Sequence, residues 1–129
     1  IYKKYGLKFI YEDLKNDAEF CCVYIKEAHP LDGWVIPSNT DEGIMYDSPD
    51  TDRARAAIAT VCMMRYHFPF RMVLDTVDDA TEASYVAEPD RLYVVGADGN
   101  VAWKSGLGPF YFDVESWYDA LKKELKKGV

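Results

Sequence analysis

Residues 20–25 read FCCVYI, a continuous apolar run that contains no charged residue, proline or glycine. An unbroken run of this kind, rather than an alternating one, is typical of a strand buried on both faces in a parallel sheet under helices. Because no residue in it would protect an open edge, we expect both edges of this strand to be paired.

The segments around this strand alternate between helical and extended patterns, and residues 26–49 lack periodicity and predict a long loop. A first helix is predicted from the start to about Asn16, and a second begins at Ser48-Pro49 with an apolar face of Ala54, Ala57, Ile58, Val61 and Cys62. A strand at Met72–Leu74, a short helix at Ala80–Val86 and a hairpin of Arg91–Val95 and Val101–Trp103 that turns at Asp98-Gly99 follow. The last predicted element is a C-terminal helix with the apolar stripe Val114, Trp117, Tyr118, Leu121 and Leu125.

This order predicts a single α/β domain over residues 1–129, with a mixed central sheet flanked by helices. It resembles the thioredoxin-like fold without its first strand. Pro89, just before the hairpin, stands where thioredoxin-like proteins carry a cis-proline that faces the reactive thiol; the alternative is a trans proline in a turn. The chain begins at Ile1 rather than Met. We therefore expect the domain to be N-terminally incomplete, with an upstream segment or a partner chain supplying a strand beside Phe20–Ile25.

Composition excludes several classes of function. The chain has 15 Lys and Arg against 22 Asp and Glu, a net charge of −7, which argues against non-specific binding to nucleic acid or anionic membranes. No apolar run approaches the roughly 20 residues of a membrane span. Cys21, Cys22 and Cys62 form no disulfide framework or metal-ligand pattern, and we interpret them as small core residues. We expect no cofactor and no metal, and a reducing intracellular compartment is favoured.

An acid and an imidazole stand two residues apart directly after the predicted strand. Glu27 and His29 would lie at the carboxyl end of a parallel strand, where α/β sheets usually bind ligands. His29 can exchange a proton near neutral pH, and Glu27 can orient it. The alternative is structural: Asp32-Gly33 is then an ordinary turn, and His29 is a satisfied polar residue.

The sequence of this segment, YIKEAHPLDGW over residues 24–34, resembles the signature of the iodothyronine deiodinases. The resemblance continues in sequence order through shorter motifs: Asp52-Arg53, Ala56-Ala57, Val73-Leu74-Asp75-Thr76, Arg91-Leu92-Tyr93-Val94 and Gly106-Leu107-Gly108-Pro109. It implies a peroxiredoxin-like thioredoxin fold and descent from thiol- or selenol-based reductive dehalogenases. It also implies that Glu27 and His29 assist substrate binding and proton transfer.

The chain departs from the family pattern at four positions. The cysteine or selenocysteine nucleophile of the family aligns a few residues before Ile1, so we expect it to be missing from residues 1–129. Asp47 aligns with a histidine, Leu107 with a substrate-clamping arginine, and Phe70 with a cysteine of the family. Iodothyronine is therefore a poor guess for the substrate.

Two functions fit these observations. The first is a deiodinase-like oxidoreductase domain with catalytic Glu27 and His29 and a substrate pocket formed by Pro89, Trp34 and Leu107. The second is a catalytically inactive, deiodinase-like subunit of a larger protein assembly. A protein partner or a homo-oligomer is expected in either case. We also expect the 129-residue chain to have no dehalogenase or peroxidase turnover alone, because buried thiols form little thiolate.

Overall fold

The computed structural model describes residues 6–26, 48–66, 69–108 and 110–127. They form four helices and four strands: α1 (Leu7–Leu14), β1 (Cys21–Tyr24), α2 (Asp52–Tyr66), β2 (Arg71–Leu74), α3 (Ala80–Tyr85), β3 (Tyr93–Val95), β4 (Val101–Lys104) and α4 (Val114–Lys127). Every predicted helix and strand therefore has a counterpart of its predicted type, whereas the predicted loop over residues 26–49 and the predicted helix start at residues 1–5 lie mostly outside the described residues. The chain is a mixed α/β protein.

The strands of the described residues form two two-stranded sheets, β1–β2 and β3–β4. The single central sheet that the sequence predicts thus remains a prediction. The chain divides into two compact units: residues 1–21, 69–71 and 90–129 make the first, and residues 22–68 and 72–89 make the second.

The first unit holds the hydrophobic core. Ile10 of α1 is fully buried, and it clusters with Leu92 and Val94 of the hairpin segment and with the apolar face of α4. The predicted α4 stripe is confirmed, because Val114, Trp117 and Tyr118 are buried and Leu121 and Leu125 pack against this core.

Two polar contacts and a ring cluster fix α4 in the first unit. The indole nitrogen of Trp117 donates to the carbonyl oxygen of Tyr93 at 3.0 Å, and the hydroxyl of Tyr118 donates to the carboxylate of Asp13. Phe20 meets the Trp117 ring edge-on, with centroids 5.7 Å apart. Paired aromatic rings add about 0.5–1.5 kcal/mol to the burial of their surface.

The hairpin turns where the Asp-Gly pair predicts it. Gly99 has φ 84°, a left-handed conformation that glycine adopts without a steric penalty. The amide of Gly96 donates to the carbonyl oxygen of Asn100 at 2.8 Å and closes the turn. Antiparallel pairing then brings Tyr93 opposite Lys104 and Val94 opposite Trp103.

The prediction that β1 is buried on both faces is wrong for the described residues. Phe20 is buried, but Cys21 is exposed, Cys22 is half-buried and Val23 is 39% exposed. The interpretation of Cys21 as a core residue is wrong for the same reason: the described part of the chain pairs β1 with β2 alone and leaves much of its surface open. A further strand beside β1 remains a prediction.

Helix α2 begins later than predicted. Its first residue is Asp52, and the hydroxyl of Thr51, rather than Ser48, accepts the amide hydrogen of Ala54 at 3.0 Å. Threonine is one of the preferred N-cap residues, and the hydrogen bond to Thr51 marks where the helix starts. The predicted apolar face is also displaced, because Ala57 is exposed and Val61 is 44% exposed.

Candidate functional site

Two of the five predicted site residues fall within the described chain. Glu27, His29 and Trp34 lie outside the described residues, so their predicted roles stay predictions. Pro89 is an exposed residue of the second unit, and Leu107 is a half-buried residue of the first.

The ends of β1 and β2 lie side by side in the second unit. The amide of Asp75, just after β2, donates to the carbonyl oxygen of Tyr24 at 2.8 Å. Lys26 stands two residues after Tyr24, and its ammonium lies 3.9 Å from the carboxylate of Glu88. Lys26 precedes the predicted Glu27 and Glu88 precedes Pro89, so two predicted site segments have described neighbours that meet. The ion pair is largely exposed and contributes about 0–1 kcal/mol.

Asp75 organises the chain beyond β2. Its carboxylate is buried and accepts the amide hydrogens of Thr76 and Thr81 at 2.9 Å each and of Glu82 at 2.8 Å. Burial alone would raise the pKa of Asp75, but the backbone amides of Glu82 and Thr81 hold it below its ordinary value. Asp75 thus stays ionised and satisfies amides in the first turn of α3, a task that helices usually assign to the N-cap residue.

A buried cation ties α2 to the same segment. The guanidinium of Arg55 is 3% exposed and donates to the carbonyl oxygen of Thr76 at 2.7 Å and to the carboxylate of Asp79 at 3.1 Å. The carboxylate of Asp52 accepts the amide hydrogen of Val77 at 2.8 Å. Hydrogen bonds therefore connect α2, which carries two of the motifs that resemble the deiodinases, with the residues at and directly after the motif that ends at Thr76.

The segment after α3 leads to Pro89 through a tight reversal. Val86 has φ 49°, a left-handed conformation that is rare for a β-branched residue. Its amide and that of Ala87 both donate to the carbonyl oxygen of Glu82. The Glu88–Pro89 peptide bond is cis, as in the thioredoxin-like proteins that the position of Pro89 resembles.

Two close approaches fix the segment that carries Leu107. The amide of Gly108 donates to the carbonyl oxygen of Asp90 at 3.0 Å, and a Cβ atom at Gly108 would lie 1.4 Å from the carboxylate of Asp90. At Gly106 a Cβ atom would lie 2.5 Å from the Cβ of Tyr111. Gly106 is therefore required by space, and a side chain at position 108 would force the carboxylate of Asp90 to move.

A shallow cavity opens beside this segment in the first unit. It has a volume of about 320 Å³, and Gly106 and Phe110, on either side of Leu107, line it together with Trp103 and Tyr111. Phe110 is 90% exposed and Tyr111 is 69% exposed, so its aromatic wall faces solvent.

Sequence reasoning missed Arg55 and Asp75 as organising residues. Arg55 stands four residues before the buried Ala59, hence on the same helix face, and that spacing was a usable signal. The sequence presents Asp75 only as part of a motif. Its bonds to residues 81 and 82 depend on the folded path of the chain, which the motif does not reveal. Within the described residues, no group of three or more His, Cys, Asp or Glu side chains could hold a metal ion, and no helix is long and apolar enough to cross a membrane.

Comparisons with known proteins agree with this organisation. The family model for iodothyronine deiodinase matches residues 3–125. The chain is 30% identical to type II iodothyronine deiodinase of Sus scrofa over 118 residues, which cover 90% of this chain and 44% of that protein. It is 36% identical to thyroxine 5-deiodinase of Gallus gallus over 118 residues, which cover 88% of this chain and 43% of that protein.

The chain thus spans less than half the length of these curated relatives. The matched span includes α2, β2 and residues 106–108, all of which the structure describes. The chain belongs to the iodothyronine deiodinase family.

Proposed function

We propose that residues 1–129 form one thioredoxin-like domain of an oxidoreductase that removes halogen reductively with a thiol or selenol. The observation that carries the proposal is the deiodinase-family match over residues 3–125. The order of helices and strands supports it. A reducing intracellular compartment suits this chemistry.

The proposed reaction needs a thiolate or selenolate supplied from outside residues 1–129. The nucleophile attacks the halogen of an aryl halide and forms a sulfur–halogen or selenium–halogen bond. The electron pair of the broken carbon–halogen bond stays on carbon, which takes a proton relayed by His29. A thiol reductant then forms a mixed disulfide or selenenyl sulfide and releases halide, and a second thiol regenerates the nucleophile as a disulfide leaves.

In this scheme each site residue has one task. Glu27 orients the imidazole of His29 for proton transfer. The residues proposed to contact the aryl group are Pro89, Trp34 and Leu107. The contact between Lys26 and Glu88, 3.9 Å apart, supports a pocket that includes Pro89 and the segment after β1.

The second candidate is an inactive, deiodinase-like subunit of a protein assembly. Leu107 favours it, because an apolar side chain at this position cannot pair with a substrate carboxylate. The outward-facing Phe110 and Tyr111 beside it offer aromatic surface of the kind that protein interfaces use. A protein partner or a homo-oligomer belongs to this proposal.

Halide release decides between the two candidates. The full-length protein that contains this chain should release halide from a halogenated phenol in the presence of dithiothreitol, and His29→Gln should lower kcat/KM by about a hundredfold or more. His67→Gln, at the other histidine of the chain, serves as the matched control and should leave the rate unchanged. No halide release by the wild-type protein above the rate with dithiothreitol alone would favour the inactive subunit.

A further inference from the structure

We propose that Glu82 is a positioning residue that holds the Pro89 turn in the second unit. This inference rests on the proposed function only where it assigns Pro89 to a substrate pocket. Glu82 lies in the middle of α3, and neither the sequence motifs nor the family resemblance singles it out.

Glu82 makes hydrogen bonds through three parts of the residue. Its amide donates to the carboxylate of Asp75 at 2.8 Å, which fixes the residue to the end of β2. Its carbonyl oxygen accepts the amide hydrogen of Ala87 at 3.3 Å, which closes the reversal after α3. Its carboxylate accepts the amide hydrogen of Glu88 at 3.3 Å, directly before Pro89.

These bonds form a continuous connection from the end of β2 to the Pro89 turn. Asp75 also donates to the carbonyl oxygen of Tyr24, so the connection begins at the end of β1. Glu88 also lies near the end of β1, because its carboxylate is 3.9 Å from the ammonium of Lys26. The carboxylate of Glu82 is the side-chain step of this connection, and its removal would leave the amide of Glu88 without that acceptor.

A change in the position of this amide would move the adjacent Pro89. Short displacements of a pocket wall weaken substrate binding even when the reacting groups are untouched. Glu82 should therefore act on binding more than on chemistry. A glutamine at the same position keeps an acceptor oxygen without the charge, whereas alanine keeps none.

The test measures amide hydrogen exchange of Glu88 by NMR in the full-length protein, together with halide-release kinetics. Glu82→Ala should speed exchange at Glu88 by about tenfold, and Glu82→Gln should restore it to within about twofold of wild type. Glu82→Ala should raise KM by about tenfold with little change in kcat. Ser84→Ala, an exposed position of the same helix, is the matched control and should change neither quantity.

Each outcome decides the proposal. Unchanged exchange at Glu88 in Glu82→Ala would overturn it, and so would an equal rise across α3 and β2, which indicates simple destabilisation. An unchanged KM for Glu82→Ala in an active enzyme would show that Glu82 does not position the substrate pocket. If the wild-type protein releases no halide, the proposed function fails, and exchange at Glu88 alone decides the positioning role. If Glu82→Ala does not fold, Glu82→Met takes its place, because it keeps the bulk of the side chain without an acceptor.

Discussion

Replacing Asp75 by asparagine should destabilise the protein by about 2–4 kcal/mol. The carboxylate of Asp75 accepts the amide hydrogens of Thr76, Thr81 and Glu82, and the side chain is 3% exposed. An asparagine keeps one acceptor oxygen and places an NH2 group at the other position, so that one or two partly buried amides lose their acceptor. Each unsatisfied amide costs about 1–3 kcal/mol. Because whole domains are stable by roughly 5–15 kcal/mol, the loss should be easy to measure.

The same contacts make the contribution of Asp75 depend on pH. Its pKa in the folded protein lies below the ordinary value of 3.8, so the folded state binds this proton less tightly than the unfolded state does. The stabilisation is therefore complete above pH 3.8 and is lost as the pH falls through the lower folded value. Asp75→Asn should lack this component of the acid sensitivity.

Urea unfolding at neutral pH and at about pH 3 measures both effects. Asp98→Asn is the matched control, because the pKa of Asp98 is also lowered by a backbone amide, that of Asn100, but this carboxylate is fully exposed. Its replacement should change stability little. A free energy of unfolding for Asp75→Asn within about 0.5 kcal/mol of wild type at neutral pH would refute the reasoning.

Two further substitutions test the backbone at the candidate site. Val86→Gly should raise the free energy of unfolding by about 0.5–1 kcal/mol in urea titrations, because glycine adopts φ 49° without the steric penalty of a β-branched residue; a loss of stability would contradict the left-handed conformation. Gly108→Ala should lower the thermal midpoint, since its Cβ would lie 1.4 Å from the carboxylate of Asp90. Gly6→Ala meets open space and should lower the midpoint much less, so equal effects of the two would speak against the close approach.

The sequence predicts best the elements whose pattern reports a local requirement. The α4 stripe was recognised because Val114, Trp117 and Tyr118 repeat at helical spacing and all face one core. The hairpin was recognised because its turn needs a residue with positive φ, and Gly99 supplies it. In both cases the information lies within one element.

Predictions that depended on neighbouring elements were less successful. The apolar run of β1 predicts that both faces of the strand are buried, but the side chains of Cys21 and Val23 are exposed in the described structure. Arg55 can be buried because the backbone carbonyl groups of Asp75 and Thr76 and the carboxylate of Asp79 accept its hydrogen bonds, and these partners lie 20 or more positions away in the sequence. At the candidate site, Pro89 is predicted from its place just before the hairpin, whereas the proposed role of Glu82 rests on three hydrogen bonds that no sequence pattern indicates.

The two glycines around Leu107 separate the shape of their segment from its chemistry. This segment is held by backbone hydrogen bonds and by close approaches that are possible because Gly106 and Gly108 have no side chain. The residue between them contributes its carbonyl oxygen to Tyr111, a bond that every amino acid can make. An evolving protein could therefore exchange an arginine for a leucine at this point, and exchange it back, while the surrounding fold stays the same. Under the proposed function, in which Leu107 lines the substrate pocket, such an exchange would change which substrate charge the pocket accepts without changing its frame.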